Sequence, residues 1–170
     1  KAWLRHYFEE QIYPVVTPLA VDSGHPFPFL ANNTINAIVR IFQVQPDGTK
    51  DYKIAILPIP SVLDRIIEVP SSSNKVHRFV YLEDVISYYA IQFFQGYGIE
   101  ESMIFRLTRD ADLEIDEEDA KDLLTEVEAS LRRRRRGDAV RLEVVGAGSP
   151  ELLRTVLASV ELEEKDVYHI

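Results

Sequence analysis

Thr34-Ile35-Asn36-Ala37-Ile38-Val39-Arg40-Ile41-Phe42-Gln43, then Pro46-Asp47-Gly48-Thr49, then Tyr52-Lys53-Ile54-Ala55-Ile56-Leu57, is the stretch that decides the fold class of this chain. The first and third pieces are rich in Ile and other residues that fit a pleated, half-buried surface. The piece between them carries the Pro, Asp and Gly of a tight turn. Two such runs flanking a turn predict a β-hairpin. Pro58 and Pro60 stop the return strand, because proline has no N–H to give to a ladder.

Downstream of the hairpin, 62–69 is short and ambiguous, Ser71-Ser72-Ser73-Asn74 is a polar tip, and 78–82 is a further strand. Together with the hairpin these segments suggest an antiparallel meander. Residues 84–95 predict a helix with Val85, Ile86, Tyr89, Ala90, Phe93 and Phe94 on one broad face. Tyr88 and Ile91 make it apolar elsewhere too, so it is either buried between layers or turned toward a neighbour. Gly96-Tyr97-Gly98 ends it. Residues 102–108 read as a strand, with Met103, Phe105 and Leu107 on one side, and Leu113-Glu114-Ile115 can extend it past a break.

The longest expected helix is 117–136, capped by Asp116, with Ala120, Leu123, Leu124, Val127 and Leu131 as its apolar stripe. Its acids come first and its arginines last, which suits the helix dipole. Gly137 is a natural stop. A strand at 139–145 follows. Ser149-Pro150 is a cap plus first-turn proline, and it opens a helix with Leu152, Leu153, Val156, Leu157 and Val160 inward. Residues 166–170 read as an extended tail.

Upstream, 3–12 place Leu4, Tyr7, Phe8 and Ile12 on one helical stripe. The stretch from Tyr13 to Phe29 is punctuated by Pro14, Pro18, Pro26 and Pro28, and it reads as stiff and extended. Its aromatics imply that it packs against the body. The expected fold is α+β: a mixed, largely antiparallel sheet covered by helices, in a single domain spanning 1–170.

Composition agrees. A chain of 170 residues is one ordinary domain with enough length for a real core. Apolar residues at 46% and charged residues at 28% describe a globular protein rather than a disordered one. There is no apolar run of bilayer length and no secretion signal. Both ends read as cut from a longer chain: position 1 is not Met and already lies in a helical pattern, and Ile170 closes an apolar stretch. Cysteine is absent, which excludes disulfides, thiolate metal sites and a Cys nucleophile, and fits a cytosolic protein. A formal net charge of -9 argues against nucleic acid and anionic membrane as partners.

Candidate chemistry is sparse. His6, His25, His77 and His169 show no metal-ligand spacing. His25, between Gly24 and Pro26 and near Asp22, is either an acid–base or phosphate contact or a hydrogen-bonded loop residue. The acidic run from Asp112 to Asp122 has no glycine for a calcium loop; it reads as a solvated first helical turn, with a magnesium contact, which needs only one or two carboxylates plus phosphates, as the alternative. Five consecutive arginines occupy 132–136. Successive helical positions point about 100° apart, so two or three of them, with Arg133 and Arg136 as candidates, could reach one polyanion. The alternative is a charged helix end lying over apolar surface. Arg106-Leu107-Thr108-Arg109 places Arg106, Thr108 and Arg109 around a strand end, where they could contact phosphate or hold Asp110 and Asp112 in a turn. No nucleophile elbow, dinucleotide fingerprint or phosphate-binding loop is present.

Several strings together resemble one family. The run from Tyr7 to Asp22, then His25-Pro26-Phe27-Pro28-Phe29, is similar to the opening of the head (middle) domain of long-form bacterial polyphosphate kinases. Phe105-Arg106-Leu107-Thr108-Arg109-Asp110-Ala111-Asp112 resembles the same family's Thr-Arg-Asx-Ala segment. The helix ending in five arginines and Gly137-Asp138, followed by Val140-Arg141-Leu142-Glu143, continues the likeness over nearly the whole chain.

The resemblance implies an α+β head domain of an enzyme that moves the terminal phosphate of ATP onto polyphosphate. It implies ATP and Mg2+ for the parent and none in this part, whose catalytic and metal residues would lie in absent C-terminal domains. Catalytic residues are thus expected to be none here, with Arg106, Arg109, Arg133, Arg136 and His25 as substrate-contact candidates. The implied roles are dimer contact, docking of other domains of the same kinase, and shaping of the ATP and polyphosphate path. The alternative is a phosphate- or polyphosphate-binding module acting through the arginines. The implied location is cytoplasmic, with a parent often membrane-associated.

Overall fold

The computed structural model describes residues 2–71, 75–110, 137–146 and 149–170. Helix α1 (Ala2–Tyr7) runs into a π-helical turn, Phe8–Ile12. Three strands follow: β1 (Leu19–Val21), β2 (Ile35–Val44) and β3 (Lys50–Pro58). Next come β4 (Ile66–Val69), β5 (Arg78–Tyr81), α2 (Leu82–Tyr89) and a 3-10 turn, Ala90–Phe93. The chain continues with β6 (Gly98–Arg109) and β7 (Ala139–Val144), then α3 (Pro150–Val160) and β8 (Val167–His169).

The predicted hairpin forms as β2–β3, with Ile38 opposite Ile56 and Val44 opposite Lys50. Its turn is closed by Asp47, whose Oδ1 accepts from the Thr49 amide at 2.9 Å and from its hydroxyl at 2.6 Å. Gly48 sits at φ +84°, the left-handed region that favours glycine. Six strands make one sheet in the order β1-β3-β2-β6-β7-β8. All pairs are antiparallel except β7–β8. A parallel pair needs a crossover, and α3 supplies it between β7 and β8.

Both sheet faces are covered, which is why β2 is buried almost continuously from Asn36 to Ile41 instead of alternating. On one face Ala37, Val39, Ile41 and Leu57 pack with Phe8, Ile12, Leu82, Val85 and Ile86. On the other, Ile38, Ile56, Phe105, Leu107, Leu142 and Val144 pack with Leu152, Val156 and Leu157 of α3. Phe8 fastens the N-terminal turn to α2, stacking on Tyr89 at 4.7 Å and meeting Phe93 edge-on at 5.5 Å. Ser149 caps α3 as its sequence predicts: its Oγ accepts from the Leu152 amide at 3.2 Å. The same hydroxyl donates to Glu101 of β6.

The α+β class, with a mixed and largely antiparallel sheet, stands as expected. Three details differ. The meander is broken: β4 and β5 form a separate two-stranded ribbon, because Pro58 and Pro60 end β3 and the chain leaves the sheet. The place beside β3 goes to β1, a strand from within the proline-punctuated stretch. The tail forms β8, with Leu142 opposite Val167. The expected helix 117–136, Leu113-Glu114-Ile115 and most of the polar tip lie outside the described residues. Among the described residues no helix is long and apolar enough to cross a membrane.

Candidate functional site

The end of β6 positions the residues singled out in sequence. Side chains alternate along a strand, so Arg106 shares the α2-side face with Ile104, which packs there. Arg106 is the register partner of Ile35 on β2 and of Glu143 on β7. Its Nε donates to Glu143 Oε2 at 2.5 Å. The other carboxylate oxygen of Glu143 lies 2.9 Å from Arg141 Nη2. Glu143 is only 7% exposed. The bond from Arg106, helped by the charges of both arginines, holds its carboxyl below the usual range against the opposing effect of burial.

A second ion pair stands at the same place. Arg65 directs Nε (2.8 Å) and Nη2 (2.6 Å) to a single oxygen, Oε1 of Glu83. Glu83 is 4% exposed. Its bond to Arg65 raises the arginine further above its ordinary value. Arg65, Glu83, Arg106 and Glu143, with Ile35 and Ile104, line a cavity of about 150 Å³. Glu83 Oε2 is buried and has no hydrogen-bond partner, and neither has Arg141 Nε. The guanidinium of Arg141 stacks 4.0 Å over Tyr168.

Arg109 goes elsewhere. A register shift between Thr108 and Arg109 interrupts the alternation. Its Nε donates to the Leu30 carbonyl and its Nη1 to the Gly137 carbonyl, each at 2.8 Å. The guanidinium also lies 4.2 Å over the Phe29 ring. Burial pushes its proton affinity down, and Asp138 partly restores it. Arg109 borders a different cavity of about 290 Å³, together with Asp138, Ser159 and Glu161 at the end of α3. Arg106 and Arg109 therefore do not converge on one ligand position.

His25 lines neither cavity. Asp22 Oδ1 accepts from the Gly24 and His25 amides at 2.8 and 2.9 Å and lies 3.1 Å from His25 Nδ1. These bonds, the Gly24 amide first, keep the Asp22 carboxyl below its ordinary value. Arg133, Arg136 and the acidic run from Asp112 to Asp122 lie outside the described residues. Among the described residues no group of three or more His, Asp or Glu side chains is gathered where it could hold a metal ion.

Sequence reasoning missed Arg65, Glu83, Arg141 and Glu143. Arg141 and Glu143 flank the buried Leu142 in a strand, so their shared face was readable. Arg65 and Glu83 are separated by 18 residues, and no local pattern joins them.

The arrangement is that of an α+β domain whose polar residues mostly bind one another. It carries a small charged cavity and no assembled nucleophile or metal centre among the described residues. The model of the polyphosphate kinase middle domain matches residues 1–170. The chain is 42% identical over 171 residues to the polyphosphate kinase of Halalkalibacterium halodurans, covering 100% of this chain and 24% of that protein. It is 41% identical over 170 residues to that of Bacillus cereus, covering 99% and 24%. The crystal structure of polyphosphate kinase from Porphyromonas gingivalis has the same fold, with a TM-score of 0.73 at 24% identity over 99% of this chain and 23% of that one. The chain belongs to the polyphosphate kinase family, as its middle domain. It spans about a quarter of the length of the relatives it matches.

Proposed function

We propose that this domain is an architectural part of an ATP:polyphosphate phosphotransferase. It docks other domains of the same kinase, supports dimerisation and helps to shape the path of ATP and polyphosphate. Phosphoryl transfer depends on positioning and charge neutralisation, and in this reading the reacting residues, with ATP and Mg2+, belong to other parts of the kinase. The parent would work in the cytoplasm, associated with the membrane through parts other than these residues.

The observation that carries this reading is the outward face of the β4–β5 ribbon. Ile67 and Val80 face the core, while Ile66, Phe79 and Tyr81 stand 58%, 58% and 50% exposed. Clustered exposed aromatics mark interaction surfaces. The relatives are about four times as long as this chain, so we assign the ribbon to another domain of the same kinase. The inward bonds of Arg109 fit the same reading, since they brace the body instead of facing a substrate.

The test is the double variant Phe79→Ser, Tyr81→Ser in a complete kinase carrying this domain. Polyphosphate synthesis should fall at least tenfold while the domain's own melting changes little. Full activity with unchanged assembly would overturn the reading. A shift to monomer in light scattering would assign the ribbon to a second copy instead. The terminal nitrogens of Arg106, which have no partner among the described residues, favour a second reading: contact with a phosphoryl group of the substrates.

A further inference from the structure

We infer that β5 accepts a further strand: an extended segment from another domain of the same kinase, hydrogen-bonded along the free edge of the ribbon. The inference rests on the docking reading above and names the mode of recognition and the chemistry of the partner. The Leu82 amide donates to the Arg65 carbonyl at 2.8 Å. These two residues continue the register that sets Val80 opposite Ile67 and Arg78 opposite Val69. Antiparallel positions alternate between pairs that exchange backbone bonds and pairs that do not. The bonds of the ribbon therefore join Leu82 to Arg65, Val80 to Ile67 and Arg78 to Val69. The N–H and C=O of Phe79 and the N–H of Tyr81 point away from β4. Among the described residues none of these groups has a hydrogen-bond partner.

Open backbone groups along a strand edge are a template for pairing, and folded proteins blunt such edges with Pro, Lys or a bulge. The run Arg78-Phe79-Val80-Tyr81 contains neither residue, and it pairs with β4 without a register shift. β5 is also the outer strand of the two. Ile67 of β4 is 5% exposed, whereas Arg78, Phe79 and Tyr81 of β5 are all exposed. A two-stranded ribbon is marginal by itself in water, so an added strand would complete it.

Side chains define the partner. Main-chain bonds give affinity in strand addition, and alternate side chains give specificity. A strand beside β5 places its residues directly against Phe79 and Tyr81 on the outward face, where apolar or β-branched side chains pair best with aromatic rings. On the other face it meets Val80 and Arg78. Arg78 is exposed and has no ion-pair partner among the described residues, so a carboxylate opposite it completes the match. A second copy paired β5 to β5 brings no such group, because β5 contains no Asp or Glu. The relatives matched by this middle domain carry about three quarters of their length outside it, and that is where we place the added strand.

The test is hydrogen exchange, read at single residues by mass spectrometry, in a complete kinase carrying this domain. The Phe79 and Tyr81 amides, which the ribbon's own ladder leaves open, should exchange as slowly as the Val80 amide and at least about 100-fold more slowly than an open amide. Photo-crosslinkers placed at positions 79 and 81 should mark one segment of another domain, at sites two residues apart. Phe79→Pro removes the outward N–H and leaves the ladder bonds of Arg78 and Val80 in place, so it should lower polyphosphate synthesis about tenfold more than Phe79→Ala does. Fast exchange at Phe79 and Tyr81, or crosslinks scattered over several segments, would overturn strand addition. If the double serine variant still loses activity in that case, the docking face stands without it. Crosslinks to β5 of a second copy would overturn the inference as well. Full activity of both the double serine variant and Phe79→Pro would overturn both readings. Exchange and crosslinking decide even if Phe79→Pro fails to fold.

Discussion

Arg106 Nε lies 2.5 Å from Glu143 Oε2, and the two residues are direct register partners across β6 and β7. A buried carboxylate is thus neutralised from its neighbouring strand, with Arg141 on its other oxygen. The pair borders the cavity and also helps to hold that side of the sheet.

That pair makes stability acid-sensitive. The folded carboxyl of Glu143 sits below its ordinary value, so the unfolded chain takes up its proton at higher pH. The stabilisation is complete above the ordinary glutamate range and is lost as pH falls through the lowered folded value. Glu143→Gln should cost about 1–3 kcal/mol at neutral pH and flatten the acid limb of a urea-midpoint versus pH profile. An unchanged acid limb would refute the assignment.

Arg109 is expected to act on stability rather than ligand binding. Arg109→Ala removes two bonds to loop carbonyls and the packing over Phe29, so denaturant unfolding should show a loss of about 2–3 kcal/mol. Arg109→Lys should recover little of it, because one ammonium cannot reproduce the two directed donors of the fork.

Gly98 is a contact glycine. A methyl group placed on it would come within 2.4 Å of Phe42 Cζ, and Phe42 is its register partner on β2. Gly98→Ala should destabilise by about 1–3 kcal/mol. Adding Phe42→Ala should make the glycine substitution nearly neutral in a double-mutant cycle read by thermal unfolding, since Gly98 is not at positive φ.

Ser149 joins a helix cap to a strand. Ser149→Ala should lower stability by about 1 kcal/mol through the cap alone. Ser149→Asp restores the cap acceptor but places a second carboxylate against Glu101, so it should rescue less than an ordinary cap replacement. Thermal melts of both variants at neutral pH check this.

The legible parts of the fold are those whose signals are local. The β2–β3 hairpin announced itself through two β-rich runs and Pro46-Asp47-Gly48-Thr49, and α3 through Ser149-Pro150 and its apolar spacing. The three-residue strands β1 and β8 carry no such signal. Leu19 becomes a strand residue because Ile56 lies opposite it, and Val167 because Leu142 does. The ribbon of β4 and β5 was mistaken for part of a meander, since adjacent strands usually pair within one sheet and nothing local reports that the chain has left it.

The candidate site divides in the same way. Arg106 and Arg109 stand three positions apart and were read together as possible phosphate contacts. The register shift after Thr108 and the carbonyls of Leu30 and Gly137 send Arg109 to a different cavity. Arg106 acquired its meaning from Glu143, Arg65 and Glu83, which come from β7, the approach to β4 and the start of α2.

By itself the sequence determined the α+β class, the hairpin, the capped final helix and the family, because periodicity, turn chemistry and ordered strings of residues are properties of the chain. Tertiary structure alone decided which strands neighbour one another, which arginines face inward and where one oxygen of Glu83, Oε2, is left without a donor. Those outcomes depend on pairing and burial between segments far apart in sequence, and no local pattern encodes the distance between two side chains that meet only in the folded protein.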